Sequence, residues 1–182
     1  MTAYHDRATG FHPGQTALVV HVPEAEPAVR SWRARYDPAA RAGVPAHVTV
    51  LFPFLDESRL DEPTVEALAG IFGARPAFDA RFEGCARFPG VLYLAPDPAA
   101  PFRRLTEDIV ARWPETPPYG GKFAGIVPHL TVADGHEDHV LDEIEAGLSG
   151  ELPVASRIGS VDLVAYDGTA WRRRRTFALG RP

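Results

Sequence analysis

Two tetrapeptides in this 182-residue chain, His47-Val48-Thr49-Val50 and His129-Leu130-Thr131-Val132, spell His, an apolar residue, Thr and Val in the same order. An imidazole with an ordinary pKa near 6.5 takes up or gives away a proton around neutrality. A threonine hydroxyl donates a hydrogen bond to an anionic oxygen. Side chains alternate along a strand, so His and Thr two residues apart share one face, with about 6.6 Å of strand between them. Both His and both Thr are 82 residues apart, which places one copy in each half of the chain. A single His-x-Thr on a strand is most simply a half-buried polar pair satisfied by backbone. Two copies, each inside a predicted strand, point instead to one cleft lined by both pairs in a pseudo-twofold arrangement.

The elements that must hold these pairs can be read from hydrophobic period and punctuation. Residues 15–23 are β-branched and apolar, ended by Pro23, and predict a buried strand. Residues 26–37 carry Val29, Trp32, Arg33 and Tyr36 at helical spacing and stop before Pro38. The first motif lies in a strand over 46–54 in which Pro53 marks the end or an edge. A helix over 61–74 has Asp61 as cap, Pro63 in its first turn and Val65, Leu68, Ala69 and Phe72 on its inner face. Residues 77–97 alternate Phe78, Ala80 and Phe82 with charged neighbours and turn at Pro89-Gly90, which predicts a hairpin. A helix over 100–114 presents Phe102, Leu105, Ile109 and Trp113. A Pro/Gly-rich loop at 115–128 then leads into the strand of the second motif. A helix over 137–150 with Val140, Ile144 and Leu148 inside precedes a closing hairpin, 153–180, turned near Asp167-Gly168. Strands and helices do not alternate regularly, so the expected class is α+β with largely antiparallel sheet.

Composition narrows the function. The chain is 45% hydrophobic with a net charge of −5, which suits a folded protein and argues against a broad grip on duplex DNA. No run approaches the roughly 18 apolar residues of a membrane span, and residues 1–15 lack a signal-peptide core, so a cytoplasmic location is expected. Cys85 is the only cysteine, which excludes an internal disulfide and a Cys-based zinc site.

The motifs HVTV at 47–50 and HLTV at 129–132, with LFPF after the first and the opening strand-helix-strand, resemble the two-histidine (2H) phosphoesterases of the 2′-5′ RNA ligase-like branch. The resemblance, over roughly residues 15–180, implies a bilobal, pseudo-twofold α+β fold with largely antiparallel sheets; the chain is expected to be a single domain, 1–182, with residues 1–14 a flexible N-terminal segment. The resemblance also implies a catalytic set of His47, Thr49, His129 and Thr131 acting without metal or cofactor on 2′,3′-cyclic phosphates or 2′-5′ phosphodiesters. One imidazole would activate water while the other protonates the leaving ribose oxygen, and the hydroxyls would bind the non-bridging oxygens. The sequence leaves open which ring is base and which is acid. The expected partner is a nucleotide or RNA end, with no membrane and no second copy of the chain.

Further candidates each have a plain structural reading beside the functional one. Phe52 and Phe54 are candidates to stack on a base, or core. Arg87 and Tyr93 flank a turn and are candidates to reach the substrate; Lys122 in the loop is a candidate phosphate clamp. In the run Trp171–Arg175, strand alternation would set Arg172 and Arg174 on one face and Arg173 and Arg175 on the other, so Arg172 and Arg174 are the binding candidates. His21 reads as structural. The cluster His136, Asp138 and His139 lacks zinc-like spacing and reads as a solvated loop and helix start. Two rivals remain: a non-catalytic module that binds a nucleotide, and a metal-dependent hydrolase built on His129, Asp134, His136 and His139.

Overall fold

The computed structural model describes residues 10–180. The strong β-formers at the start give β1 (Thr16–His21), buried along nearly its whole length as a central strand must be. Pro27 opens α1 (Glu26–Tyr36), and Asp37 ends it while capping the short α2 (Pro38–Arg41) through a hydrogen bond from the Ala39 amide. The remaining elements are β2 (His47–Leu51), α3 (Glu62–Gly73), β3 (Phe78–Phe88), β4 (Val91–Asp97), α4 (Ala100–Arg112), β5 (Leu130–Asp134), α5 (Asp138–Leu148), β6 (Val154–Ile158), β7 (Ser160–Tyr166) and β8 (Trp171–Ala178). The mixed helix and antiparallel-sheet class expected from sequence is the one observed.

The strands form two four-stranded antiparallel sheets, ordered β2-β1-β7-β8 and β5-β4-β3-β6. Each motif strand is therefore an edge strand, and β2 and β5 touch one another. The main core is continuous through both sheets: Leu18, Val20 and Val48 from the first, Phe82, Leu92, Leu94 and Leu130 from the second. Leu68, Phe72, Phe102, Leu105 and Ile109 from α3 and α4, and Val29, Leu141, Ile144 and Leu148 from α1 and α5, complete it. Each fully buried side chain of this size contributes about 1.5–3 kcal/mol. A smaller cluster of Ala17, Val19, Val44, Val164 and Trp171 sits under Phe11 and Phe52.

Two local readings are corrected. The segment 153–180 is not one hairpin: it breaks at Gly159, and β6 joins β3 in the other sheet while β7 and β8 make the hairpin. Buried Val154, Ser156 and Ile158 alternating with exposed Ala155 and Arg157 give β6 an inner face of its own. Ala69 faces solvent, and Ile71 packs against the core instead. The flexible segment expected at 1–14 lies mostly outside the described residues; at its end the Gly14 amide bonds to the Tyr166 carbonyl at 3.0 Å. No described helix is long and apolar enough to cross a membrane.

Helices α1 and α5 meet where Gly147 faces the Trp32 indole, and a Cβ on Gly147 would lie 2.5 Å from that ring. The tryptophan is rigid and packed against the core, so the clash forces the helices apart. Gly147→Ala is expected to cost about 1–3 kcal/mol and lower the thermal midpoint by several degrees, measured by calorimetry. An unchanged midpoint would show that the ring moves aside freely.

Candidate active site

The two motif strands carry the same irregularity at the same place. In β2 the pairing with β1 steps from Leu18↔Leu51 to Val19↔Thr49, leaving Val50 as an extra residue. In β5 the pairing with β4 steps from Leu92↔Ala133 to Tyr93↔Thr131, leaving Val132 extra. The fourth residue of each motif is thus a bulge residue, and both are buried valines. A bulge frees backbone groups that must find other partners. The Val50 carbonyl accepts from the Thr106 hydroxyl of α4 at 2.7 Å. The Thr131 carbonyl accepts from Arg33 Nε of α1 at 3.1 Å.

Each imidazole is fixed in the same manner. His47 Nδ1 bonds to the Pro45 carbonyl at 2.8 Å, and His129 Nδ1 to the Val127 carbonyl at 2.7 Å, in both cases two residues upstream. A carbonyl only accepts, so Nδ1 carries the proton and Nε2 of each neutral ring keeps its lone pair. Among the described residues no hydrogen bond engages the Thr49 or Thr131 hydroxyl, so both hydroxyls remain available as donors. The rings are close enough for His129 to act on His47 electrostatically.

Their surroundings differ. Arg33 is buried, pairs with Asp37 at 2.7 Å, and stands beside His47. Burial first, and then the Arg33 charge, push the His47 pKa down to about 3. His21 is the cross-strand partner of His47 on β1, and its like charge disfavours the protonated form of His47 further. Its Nδ1 holds Asp162 at 2.7 Å, and Thr176 also donates to that carboxylate. Burial alone would raise Asp162, but the His21 and Thr176 hydrogen bonds outweigh it and hold the pKa below the usual range. At the second motif, burial lowers the His129 pKa, opposed by the Val127 hydrogen bond and by Asp134. Rings rather than cations surround His129: Phe88 at 5.2 Å, Tyr93 at 5.4 Å and Tyr119 at 6.4 Å between centroids.

The sequence candidates fall into three places. Tyr93 lies against His129 on the Thr131 side of its sheet. Phe52 packs in the small cluster edge-on to Trp171, and its carbonyl accepts from the Tyr119 amide at 2.7 Å, tying the loop after the first motif to the loop before the second. Lys122 is exposed in that same loop. The others point elsewhere. Phe54 is buried edge-on to Trp113. Arg87 reaches Asp142 at 2.7 Å and Glu145 at 2.5 Å on α5. Arg172 pairs with Asp167 and Arg174 with Glu57. Among the described residues no group of three or more metal-ligating side chains converges; His136 bonds the Tyr36 carbonyl, and His139 lies beside Glu137.

Sequence reasoning missed three residues. Arg33 counted only as one residue of a helical face, and His21 as structural. Tyr119 went unnoticed, although its φ of +52°, followed by Gly120 and Gly121 at +65° and +76°, holds a non-glycine in the left-handed region beside His129. That conformation costs about 1–3 kcal/mol and is found where a side chain has to be aimed. The only signal in the sequence was the Pro-Pro-Tyr-Gly-Gly punctuation itself.

Two antiparallel sheets whose edge strands each present His-x-Thr define a fold of the LigT, 2H phosphoesterase type. E. coli LigT complexed with 3′-AMP superposes with a TM-score of 0.60 at 18% identity, covering 92% of this chain and 99% of that one. The apo form of LigT gives 0.59 at 17%, covering 94% and 100%, and a Thermus thermophilus protein gives 0.61 at 20%, covering 92% and 98%. The chain belongs to the 2′-5′ RNA ligase superfamily, whose family profile matches residues 21–170. Comparison with curated proteins gives no sequence match. Membership supports a phosphoesterase-type function.

The ion pair beneath His47 has a measurable consequence. Asp37→Ala leaves the Arg33 guanidinium buried without its carboxylate and should cost about 3–5 kcal/mol in chemical denaturation. A loss under about 1 kcal/mol would mean that Arg33 reaches water or a new partner.

Proposed function

We propose that the protein is a phosphodiesterase that opens a 2′,3′-cyclic phosphate or cleaves a 2′-5′ linkage at a nucleotide or RNA end, without a metal. The observation that carries this reading is the pair of imidazoles on touching edge strands, both with Nδ1 tied to a carbonyl and Nε2 left for proton transfer. LigT, of the same fold, has been solved with 3′-AMP, ATP, phosphate and NADP+, each a phosphate or a phosphate-bearing nucleotide.

The surroundings of the two rings support one assignment of roles. His47, beside Arg33, resists a second positive charge and is the base: its Nε2 takes a proton from water as the water oxygen attacks phosphorus. His129, beside Asp134, is the acid: it donates its proton to the 3′ oxygen as the bond from phosphorus to that oxygen breaks, leaving a 2′-phosphate. Thr49 and Thr131 donate to the non-bridging oxygens, where negative charge builds. In the free protein the His129 pKa is also lowered, so bound substrate does more than fill the cleft, because its anionic phosphate favours the imidazolium that the reaction needs.

Purified protein is expected to hydrolyse adenosine 2′,3′-cyclic phosphate in EDTA, and His47→Ala or His129→Ala should each lower kcat by roughly 10²–10⁴. Near-wild-type rates in both variants refute the mechanism. Binding with no turnover by the intact protein would favour a nucleotide-binding module, and loss of activity in EDTA a metal enzyme.

The pH dependence follows in sign. Free enzyme needs His47 neutral, a condition met above its value of about 3, and His129 protonated, a condition lost as pH rises through its lowered value. The kcat/KM profile should therefore peak on the acid side of the ordinary imidazole pKa, about 6.5, and fall through neutrality. The alkaline limb of kcat should lie higher, because bound phosphate raises His129. A kcat/KM maximum above about pH 8 would contradict the assignment.

A further inference from the structure

Beside His47, the first sheet opens into a cavity of about 790 Å³, within the range of about 300–1,000 Å³ usual for ligand sites. Among its lining residues are His21, Arg157, Ser160, Asp162, Arg173 and Thr176. The register makes it continuous with the catalytic face. His47 pairs with His21 and Thr49 with Val19 across β1; Val19 pairs with Asp162 on β7, and Asp162 with Thr176 on β8. Directly opposed residues share a face, so His47, Thr49, His21, Asp162 and Thr176 lie on one side of the sheet, from the motif strand to the far strand.

A third bulge adds an arginine to this side of the sheet. Between the pairs Leu163↔Arg175 and Val164↔Arg173, Arg174 is the extra residue of β8. Simple alternation would separate Arg173 from Thr176; the bulge puts both on the Asp162 face. Arg173 is 65% exposed and stands 3.9 Å from Asp162, too long to use up its five donors. Arg157, half exposed, pairs among the described residues only with Asp79, at 3.2 Å. Of the lining residues, His21 has its Nε2 buried with no hydrogen-bond partner among the described residues, at a cost of about 1–3 kcal/mol.

We propose that this cavity is a subsite for the nucleotide preceding the one that carries the reactive phosphate, with Arg173 and Arg157 taking the phosphodiester that joins them. This deepens the functional reading above and rests on it: the preferred substrate is an oligonucleotide end, not a mononucleotide. Guanidinium groups match a phosphodiester with paired N–H donors, and they stand out in a chain of net charge −5. A mononucleoside cyclic phosphate fills the catalytic centre and leaves this cavity empty.

Three substrates test it: adenosine 2′,3′-cyclic phosphate, the same compound with a 5′-phosphate, and adenylyl-(3′→5′)-adenosine 2′,3′-cyclic phosphate. The expected kcat/KM rises in that order, with the dinucleotide at least about tenfold above the first. Arg173→Glu should collapse the ratio of dinucleotide to mononucleotide toward one. Arg172→Glu, which changes charge equally but at the Asp167 pair, should keep the wild-type ratio. Equal kcat/KM for all three substrates in the wild type, or an Arg173→Glu variant that slows all three in proportion, overturns the subsite and leaves the phosphodiesterase reading standing. Hydrolysis of none of the three overturns both. Arg173 is exposed and makes no short bond, so a circular dichroism spectrum matching wild type is expected of the variant.

Discussion

One buried cation organises the site. Arg33 lies on α1, at 2% exposure, and its guanidinium divides its hydrogen bonds between Asp37, which ends α1 and caps α2, and the carbonyl of Thr131 in the second motif. A charge so deep is tolerated only when paired and fully hydrogen-bonded, so the position of each partner is strongly constrained by the others. Asp37 shares the cost: burial raises its pKa by more than Arg33 lowers it. The result is a fixed link from the helix after β1, in the sheet of the first motif, to the edge strand of the other sheet. The same charge disfavours protonation of His47, so one residue both holds the two motifs in place and sets the proton affinity of one of them.

The bulges explain why the repeated signature is four residues long. Alternation alone requires only that His and Thr be two apart. The valine that follows is the extra residue in both strands, and a bulge increases twist and re-aims the side chains next to it. Burying a valine there pins the bulge to the core, while the freed carbonyls are met by Thr106 in one half and Arg33 in the other. The halves match in backbone and differ in the groups that satisfy it. A third bulge, at Arg174, works the same way at the far strand, which is why Arg173, and not the even-numbered arginines, lines the cavity beside His47.

What sequence could reveal was set by range. Period, caps and turn residues are local, and they located β1, α1, α3, the β3-β4 hairpin, α4 and α5 to within a few residues. The two His-x-Thr pairs were legible because the repeat itself reports a shared face. Sheet membership was not: β6 and β7 are separated only by Gly159, and nothing local says that they pair with different partners. Bulges were equally silent, since an extra residue leaves the hydrophobic pattern almost unchanged, yet it inverts the faces beyond it. Arg33 was hidden for a related reason: at helical spacing a buried arginine looks like a solvated one, and only its tertiary partners distinguish them. Arg87 erred the other way, since a turn-flanking arginine gives no hint of the acidic pair on α5.

A pseudo-twofold site poses a problem that geometry cannot solve by itself. If both imidazoles are held by the same kind of bond and both threonines point the same way, acid and base are interchangeable and a proton has no preferred direction. The asymmetry has to come from what surrounds the motifs. Around His47 stand a guanidinium and a second imidazole, both unfavourable to added positive charge. Around His129 stand aromatic rings and, further along β5, the Asp134 carboxyl, which favours it. Both rings lose proton affinity by burial, so in the proposed reaction the difference between them, not the absolute value of either, selects the donor. In the proposed reaction the substrate phosphate adds an anion between the rings, which favours protonation of both, and the ring not opposed by Arg33 responds first. The repeated backbone provides two equivalent places for a proton, and the unrepeated charges decide which of them is filled.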